Sequence, residues 1–200
     1  MTTGVGSYEW RFDSGRLCLD LVATGEPAPK GFEEHPRADD AGLLGRWLTR
    51  SGLVPPGTPL AAVDTGWVRR FAELRDCVGQ LVRAEIDGRY AAAALERVNV
   101  IAAGAPPGIR AVREPGGALV RTLCAEPECG ALLAAVARDT VDLLTDPVAR
   151  AGLRQCEGDS CRRVYLDTSR GRRRRWCSSE VCGNRERVAR HRRRAAVARA

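Results

Sequence analysis

Two pairs of cysteines near the C-terminus have the spacing of a metal site. Four residues lie between Cys156 and Cys161, four between Cys177 and Cys182, and fifteen between the pairs. Zinc takes four deprotonated soft or imidazole ligands at tetrahedral geometry, and closely spaced cysteine pairs supply them from two short turns. The pattern predicts one structural Zn²⁺ held by Cys156, Cys161, Cys177 and Cys182. Four thiolates on one zinc leave an excess of two negative charges, which nearby arginines such as Arg162, Arg163 and Arg185 would offset. An iron–sulfur cluster also uses four cysteines, but the surrounding charge and the knuckle-like layout favour zinc. With few apolar residues of its own, the segment is expected to be largely unfolded without metal.

The other chemistry is cationic. Residues 151–200 hold fifteen arginines against five acids, whereas residues 1–150 carry a net charge of −3, so the whole excess lies in the last fifty residues. Such an asymmetry points to a polyanion as partner, nucleic acid foremost. Arg172, Arg173 and Arg174 crowd a turn between the cysteine pairs, and Arg187, Arg190 and Arg194 fall on one face of a helix after them. These six are the predicted nucleic-acid contacts, with duplex DNA favoured because a basic helix fits a major groove or tracks phosphates. Arg175 and Arg185 divide between phosphate contact and balancing the thiolates. The bland alternative is a solvated tail whose arginines only neutralise the metal centre. Trp176, beside a ligand, reads as finger packing.

The elements that must position these groups are an α+β assembly: a mostly helical N-terminal domain with a short strand and a β-hairpin, then a treble-clef-like four-cysteine zinc finger. The boundary falls near residue 150, giving domains at 1–150 and 151–200. Alternation over Leu17–Val22 predicts the strand, with a short helix as the alternative. A Pro/Gly-rich loop covers 25–38. Asp39-Asp40 caps a helix through about Thr49, with Leu43, Leu44, Trp47 and Leu48 on its apolar stripe. A long helix runs from about Thr65 to Asp87, with Trp67, Phe71, Leu74, Val78 and Leu81 on one face. Another spans Ala91–Ala103, with Leu95, Val98 and Ile101–Ala102 inward. Ile109–Arg113 and Ala118–Leu123 flank Glu114-Pro-Gly-Gly117 as a hairpin, and Glu128–Thr145 is helical. In the finger, Val164–Leu166 is predicted to pair with Arg174–Trp176, and the second cysteine pair starts a helix. Cys124 and Cys129 repeat the spacing but lack a second pair, so they read as core thiols, as do Cys18 and Cys77. His35 and His191 have no ligand partner at suitable spacing.

These words resemble a known family. Cys156-x4-Cys161, Asp167-Thr-Ser169-Arg170, Arg174-Arg175-Trp176-Cys177-Ser178 and Cys182-Gly183-Asn184-Arg185 are similar to the CGNR zinc finger. The preceding 150 residues resemble the ABATE domain, whose early signature stands here as Gly15-Arg16-Leu17-Cys18-Leu19-Asp20-Leu21-Val22-Ala23-Thr24. Ala23 departs from the asparagine usual in that family. The resemblance implies a bacterial DNA-binding, stress-induced transcription regulator.

Function then divides three ways. The first reading is a zinc-dependent DNA-binding regulator, with the N-terminal domain sensing a small-molecule effector or forming a homodimer. If it holds a ligand pocket, Asp20, Thr24 and Arg75 are candidates for its polar lining. The second is an RNA-binding or ribosome-associated protein, which the same charges allow. The third, an enzyme, is disfavoured: there is no phosphate loop, no Ser/His/Asp set, and only two histidines. No stretch approaches the ~18 uncharged apolar residues of a membrane span and no secretory signal is evident, so a cytoplasmic location and reduced cysteines are expected.

Overall fold

The computed structural model describes residues 12–26, 40–159 and 161–197. Seven α-helices and two hairpins are present among them: α1 (Leu17–Ala23), α2 (Ala41–Arg50), α3 (Thr65–Ile86), α4 (Ala92–Ala102), β1 (Ile109–Arg113), β2 (Leu119–Leu123), α5 (Cys129–Thr145), α6 (Pro147–Arg150), β3 (Leu153–Gln155), β4 (Val164–Leu166) and α7 (Asn184–Val197). A π-helical turn over Ser179–Gly183 leads into α7. The predicted loop at 25–38 lies, from residue 27 onward, outside the described residues, as do His35 and Asp39. Among the described residues no helix is long and apolar enough to cross a membrane.

The N-terminal body is a helical cluster in which α3 and α5 are the long members. Asp64 starts α3 by accepting from the Trp67 amide at 2.9 Å, and Asp40 does the same for α2 through Leu43, each satisfying an orphan donor of the first turn. From α3 the stripe Phe71, Leu74, Val78 and Leu81 is buried, and from α5 Leu132, Leu133, Val136, Thr140 and Leu143. Trp47 of α2 is fully buried and meets Phe71 edge-on, with ring centroids 6.2 Å apart. In α4 the inward residues are Ala94 and Val98, while Leu95, predicted to face in, is 46% exposed. The predicted hairpin β1–β2 forms, with Ile109 opposite Leu123 and Arg113 opposite Leu119. It projects from the body, leaving β1 exposed along its length.

Two elements depart from expectation. Residues 17–23 form a helix, not a strand: Cys18, Leu19, Leu21 and Val22 are all buried, a one-three-four spacing that a strand would split between opposite faces. The helix has no local side-chain cap. Its capping group is the Asp139 carboxylate of α5, which accepts from the Cys18 amide at 2.8 Å. In the finger, β4 pairs with β3, not with Arg174–Trp176; Leu153 lies opposite Leu166 and Gln155 opposite Val164. The first cysteine pair therefore sits in the loop of this hairpin.

The short strand β4 faces two ways. Val164 and Leu166, with Leu153 of β3, belong to the large helical core, whereas Tyr165 between them belongs to the cysteine cluster. Residue alternation thus welds the finger to the body. Gly15 makes this approach possible. It holds φ +90°, and a Cβ there would stand 3.0 Å from the Leu166 Cβ.

Because Leu132 is fully buried and Leu95 is not, Leu132→Ala is expected to destabilise the chain by about 2–5 kcal/mol. Leu95→Ala should stay within about 0.5 kcal/mol. Urea unfolding followed by circular dichroism distinguishes the two; equal losses would contradict this placement of α4.

Candidate metal centre and its surroundings

The four cysteine sulfurs are buried, and all lie within 4.8 Å of one another. Cys161 and Cys177 sulfurs are 3.8 Å apart and those of Cys177 and Cys182 3.6 Å. A tetrahedron with zinc–sulfur bonds of about 2.3 Å has edges of about 3.8 Å, so the donor set fits one zinc ion. The backbone shapes the site. Cys156 donates its amide to the Arg163 carbonyl at 2.9 Å, and its sulfur accepts from the Cys177 amide at 3.3 Å. Ser178, just after Cys177, caps the following turn by accepting from the Val181 amide at 3.2 Å, and this turn carries Cys182. Tyr165 is fully buried against the cluster, with Trp176 and Val181 packed on its rim. The Tyr165 hydroxyl donates to the Arg174 carbonyl at 2.7 Å.

Thiols this close cannot all ionise without a cation. Hydrogen bonding from its neighbours, Cys161 first, pulls the Cys156 thiol below its ordinary range. The same contacts, that with Cys156 first, push Cys177 and Cys182 up. A divalent ion removes this conflict by displacing the remaining protons.

The arginines divide into pinned and unpinned groups. Arg174 sits over the Tyr165 ring, 4.7 Å from its centroid, and donates to the carbonyls of Trp176, at 3.3 Å, and Cys177. Arg175 pairs with Glu157 at 2.6 Å and stacks over Trp176 at 5.3 Å. Arg187 folds back on the carbonyls of Gly183 and Ser179, at 3.3 and 3.2 Å. Arg185 is half-buried and lines a groove of about 590 Å³ beside Cys161 and Cys182. By contrast Arg170, Arg172, Arg173, Arg190, Arg192 and Arg194 are exposed. Asp167 shapes the turn that presents the first three, its carboxylate accepting from the Ser169 amide at 3.0 Å and the Arg174 amide at 2.9 Å. Thus Arg174 and Arg187, counted in the sequence among the contacts, are engaged within the finger, whereas Arg172, Arg173, Arg190 and Arg194 face solvent.

The suggested pocket residues each have partners within the chain. Asp20 accepts from the Ser14 amide at 3.1 Å and faces Arg163 at 3.8 Å. Thr24, buried, donates to the Leu21 carbonyl at 2.7 Å. Arg75 packs against Gly25 and bonds Asp76 at 3.3 Å. Cys18 is a core thiol, its ionisation opposed first by burial and then by Asp139. Cys129 is buried as expected, but Cys124 is exposed: it ends the projecting hairpin, where the body gives no cover. Sequence reasoning overlooked Ser14, Asp139 and the burial of Arg163. Each acts through partners more than a hundred residues away, and no local pattern marks such pairs.

Two family models match the chain. One, ABATE, described as "Putative stress-induced transcription regulator", covers residues 15–147. The other, the CGNR zinc finger, covers residues 153–195. No curated protein matches.

Purified protein is expected to hold one zinc per chain by elemental analysis, and Cys177→Ser to lose it. Retention should weaken as pH falls, because the raised Cys177 and Cys182 thiols must give up protons to bind metal; iron in place of zinc, or pH-independent retention, would refute this. Asp20 offers a second pH signature. Burial raises its pKa from 3.8 to about 6, against the opposing pull of Ser14 and Arg163. The fold therefore favours the protonated form, and this contribution is lost as pH rises from about 4 through 6. The stability of wild type minus that of Asp20→Asn should fall across this window, by at most about 3 kcal/mol. A flat difference in urea titrations would rule it out.

Proposed function

This chain belongs to the ABATE family and carries a CGNR zinc finger behind that domain, and from this premise we propose that it is a zinc-dependent DNA-binding transcription regulator. It acts by binding, not by catalysis, in the cytoplasm. Residues 1–150 take the role of sensing an effector or pairing two copies, and residues 151–200 take that of gripping the duplex.

The observation that carries this reading is the split among the arginines. A metal centre that needed only charge balance would be served by Arg174, Arg175 and Arg187, which contact the finger itself. Six more stand exposed on either side of it, and among the described residues none of the six makes an ion pair. Arg190 and Arg194 lie one helical turn apart on α7, and Arg170, Arg172 and Arg173 on the turn after β4. Arg172 supports the reading further. It holds φ +46°, where a non-glycine residue costs roughly 1–2 kcal/mol. Such a cost is retained where the side chain is needed. Beside this turn, Arg173, Arg175, Trp176 and Ser179 line a groove of about 670 Å³, together with the carboxylates of Asp13 and Glu180.

Titrated with duplex DNA, the zinc-loaded protein should show about six phosphate contacts, a log–log salt slope of about −5. Replacing Arg172 and Arg173, or Arg190 and Arg194, with glutamine should flatten the slope by about one per arginine. Arg174→Gln should instead loosen the finger and its metal. A salt-independent titration would defeat the proposal, and preference for structured RNA over every duplex would replace it with RNA binding.

A further inference from the structure

One residue belongs to both halves of the molecule. Arg163 is only 7% exposed, an unusual place for a guanidinium unless it is fully engaged. Its main chain holds the start of the first knuckle: the carbonyl accepts from the Cys156 amide at 2.9 Å. Its side chain points the other way. Nε and Nη2 donate to the Ser14 hydroxyl at 3.1 and 2.8 Å, and Nη2 pairs with Asp13 at 2.9 Å. Ser14 is itself fully buried. Its amide donates to Asp20, and its carbonyl accepts from the Leu166 amide at 2.8 Å. Two residues further on, Arg16 and the start of α1 are fastened to Asp139 of α5 at 2.8 Å. A relay of hydrogen bonds therefore runs from α5 through α1, Ser14 and Arg163 to Cys156, a metal ligand of the first knuckle.

We propose that Arg163 is a positioning residue for metal ligation, which makes retention of zinc and the packing of residues 13–20 mutually dependent. The physical argument is geometric. Cys156 and Cys161 sit in a hairpin loop whose strands are three residues each, too short to hold a loop by themselves. What fixes the loop's base is the Arg163 main chain, and what fixes Arg163 is Ser14 and Asp13. Release of that contact frees the first knuckle to open one cysteine at a time, and metal leaves by stepwise ligand loss. Coupling of this kind is reciprocal, so metal removal loosens α1. An event in the N-terminal body thereby reaches the finger without touching it, whatever polyanion the finger binds.

The test uses the full-length zinc-loaded chain and follows zinc transfer to an excess of a colorimetric chelator. Ser14→Ala and Arg163→Met should each release zinc about tenfold faster or more, the effect of losing a charged hydrogen bond. Arg163→Lys, which keeps the charge but not the fork, should recover part of the loss. Val98→Ala, a buried change on α4, which packs against α3 and α5, supplies general destabilisation and should leave the release rate within about twofold. In a second measurement, chelation of wild type should raise amide exchange across Leu17–Ala23. Equal acceleration by Val98→Ala, unchanged release from both joint variants, or unchanged exchange in α1 after chelation would each overturn the proposal. Ser14→Ala, a small change, keeps the test decisive if Arg163→Met does not fold.

Discussion

Four sulfurs brought within 4.8 Å of one another cannot all be anions unless a cation stands between them, and the C-terminal part of the molecule is arranged around that constraint. With zinc bound, the knuckle, the turn and the start of α7 converge on one point. Without it, the protons retained by Cys177 and Cys182 leave a cluster whose members oppose one another's ionisation. Little else holds these segments together. The finger's own core is Tyr165, Trp176 and Val181 around the cysteines, far too small to offset the chain entropy of some forty residues.

The second support is the helical body, and β4 is where the two meet. Tyr165 turns to the metal while Val164 and Leu166 turn to the helices. A three-residue strand can serve both only because its side chains alternate. Gly15 and Ser14 complete the contact, the first by removing a side chain where the backbones approach and the second by bonding Leu166 and Arg163. The hairpin that carries half of the metal ligands is thus also a part of the N-terminal core.

This arrangement explains what was legible in the sequence. The cysteine spacing, the apolar stripe of α3, the helix over Glu128–Thr145, the cap at Asp40, and the Glu114–Gly117 turn are local signals, and the structure places each as read. The misreadings share a cause. Leu17–Val22 fits both periods because it is buried nearly all round, and the carboxylate that decides for helix lies 121 residues away. Val164–Leu166 pairs with Leu153–Gln155, which lies on the far side of the first knuckle and carries no strand pattern of its own. Leu95 looks apolar and helical in spacing, yet α4 presents Ala94 and Val98 to the core. Arg163 looks like one more cation in a basic run; its burial follows from Ser14 and Asp13, which no spacing rule connects to it.

The same distinction separates the arginines. From composition they form one cationic surface, but a guanidinium has five donors in a fixed fork, and where carbonyls or carboxylates converge on it the charge is committed. Arg174 meets two carbonyls and an aromatic face, Arg175 a carboxylate and a ring, Arg163 a hydroxyl and two carboxylates. Those contacts, with Arg187 on the carbonyls of Gly183 and Ser179, let so many like charges exist in so small a module, because they fasten the turn and the π-helical start of α7 to the metal core. The exposed set is then presented from a rigid base. A polyanion that meets Arg172, Arg173, Arg190 and Arg194 meets side chains whose backbones are already placed, so the ordering cost of binding falls mainly on the side chains. Metal ligation, by fixing that base, sets the geometry of a surface it does not itself form.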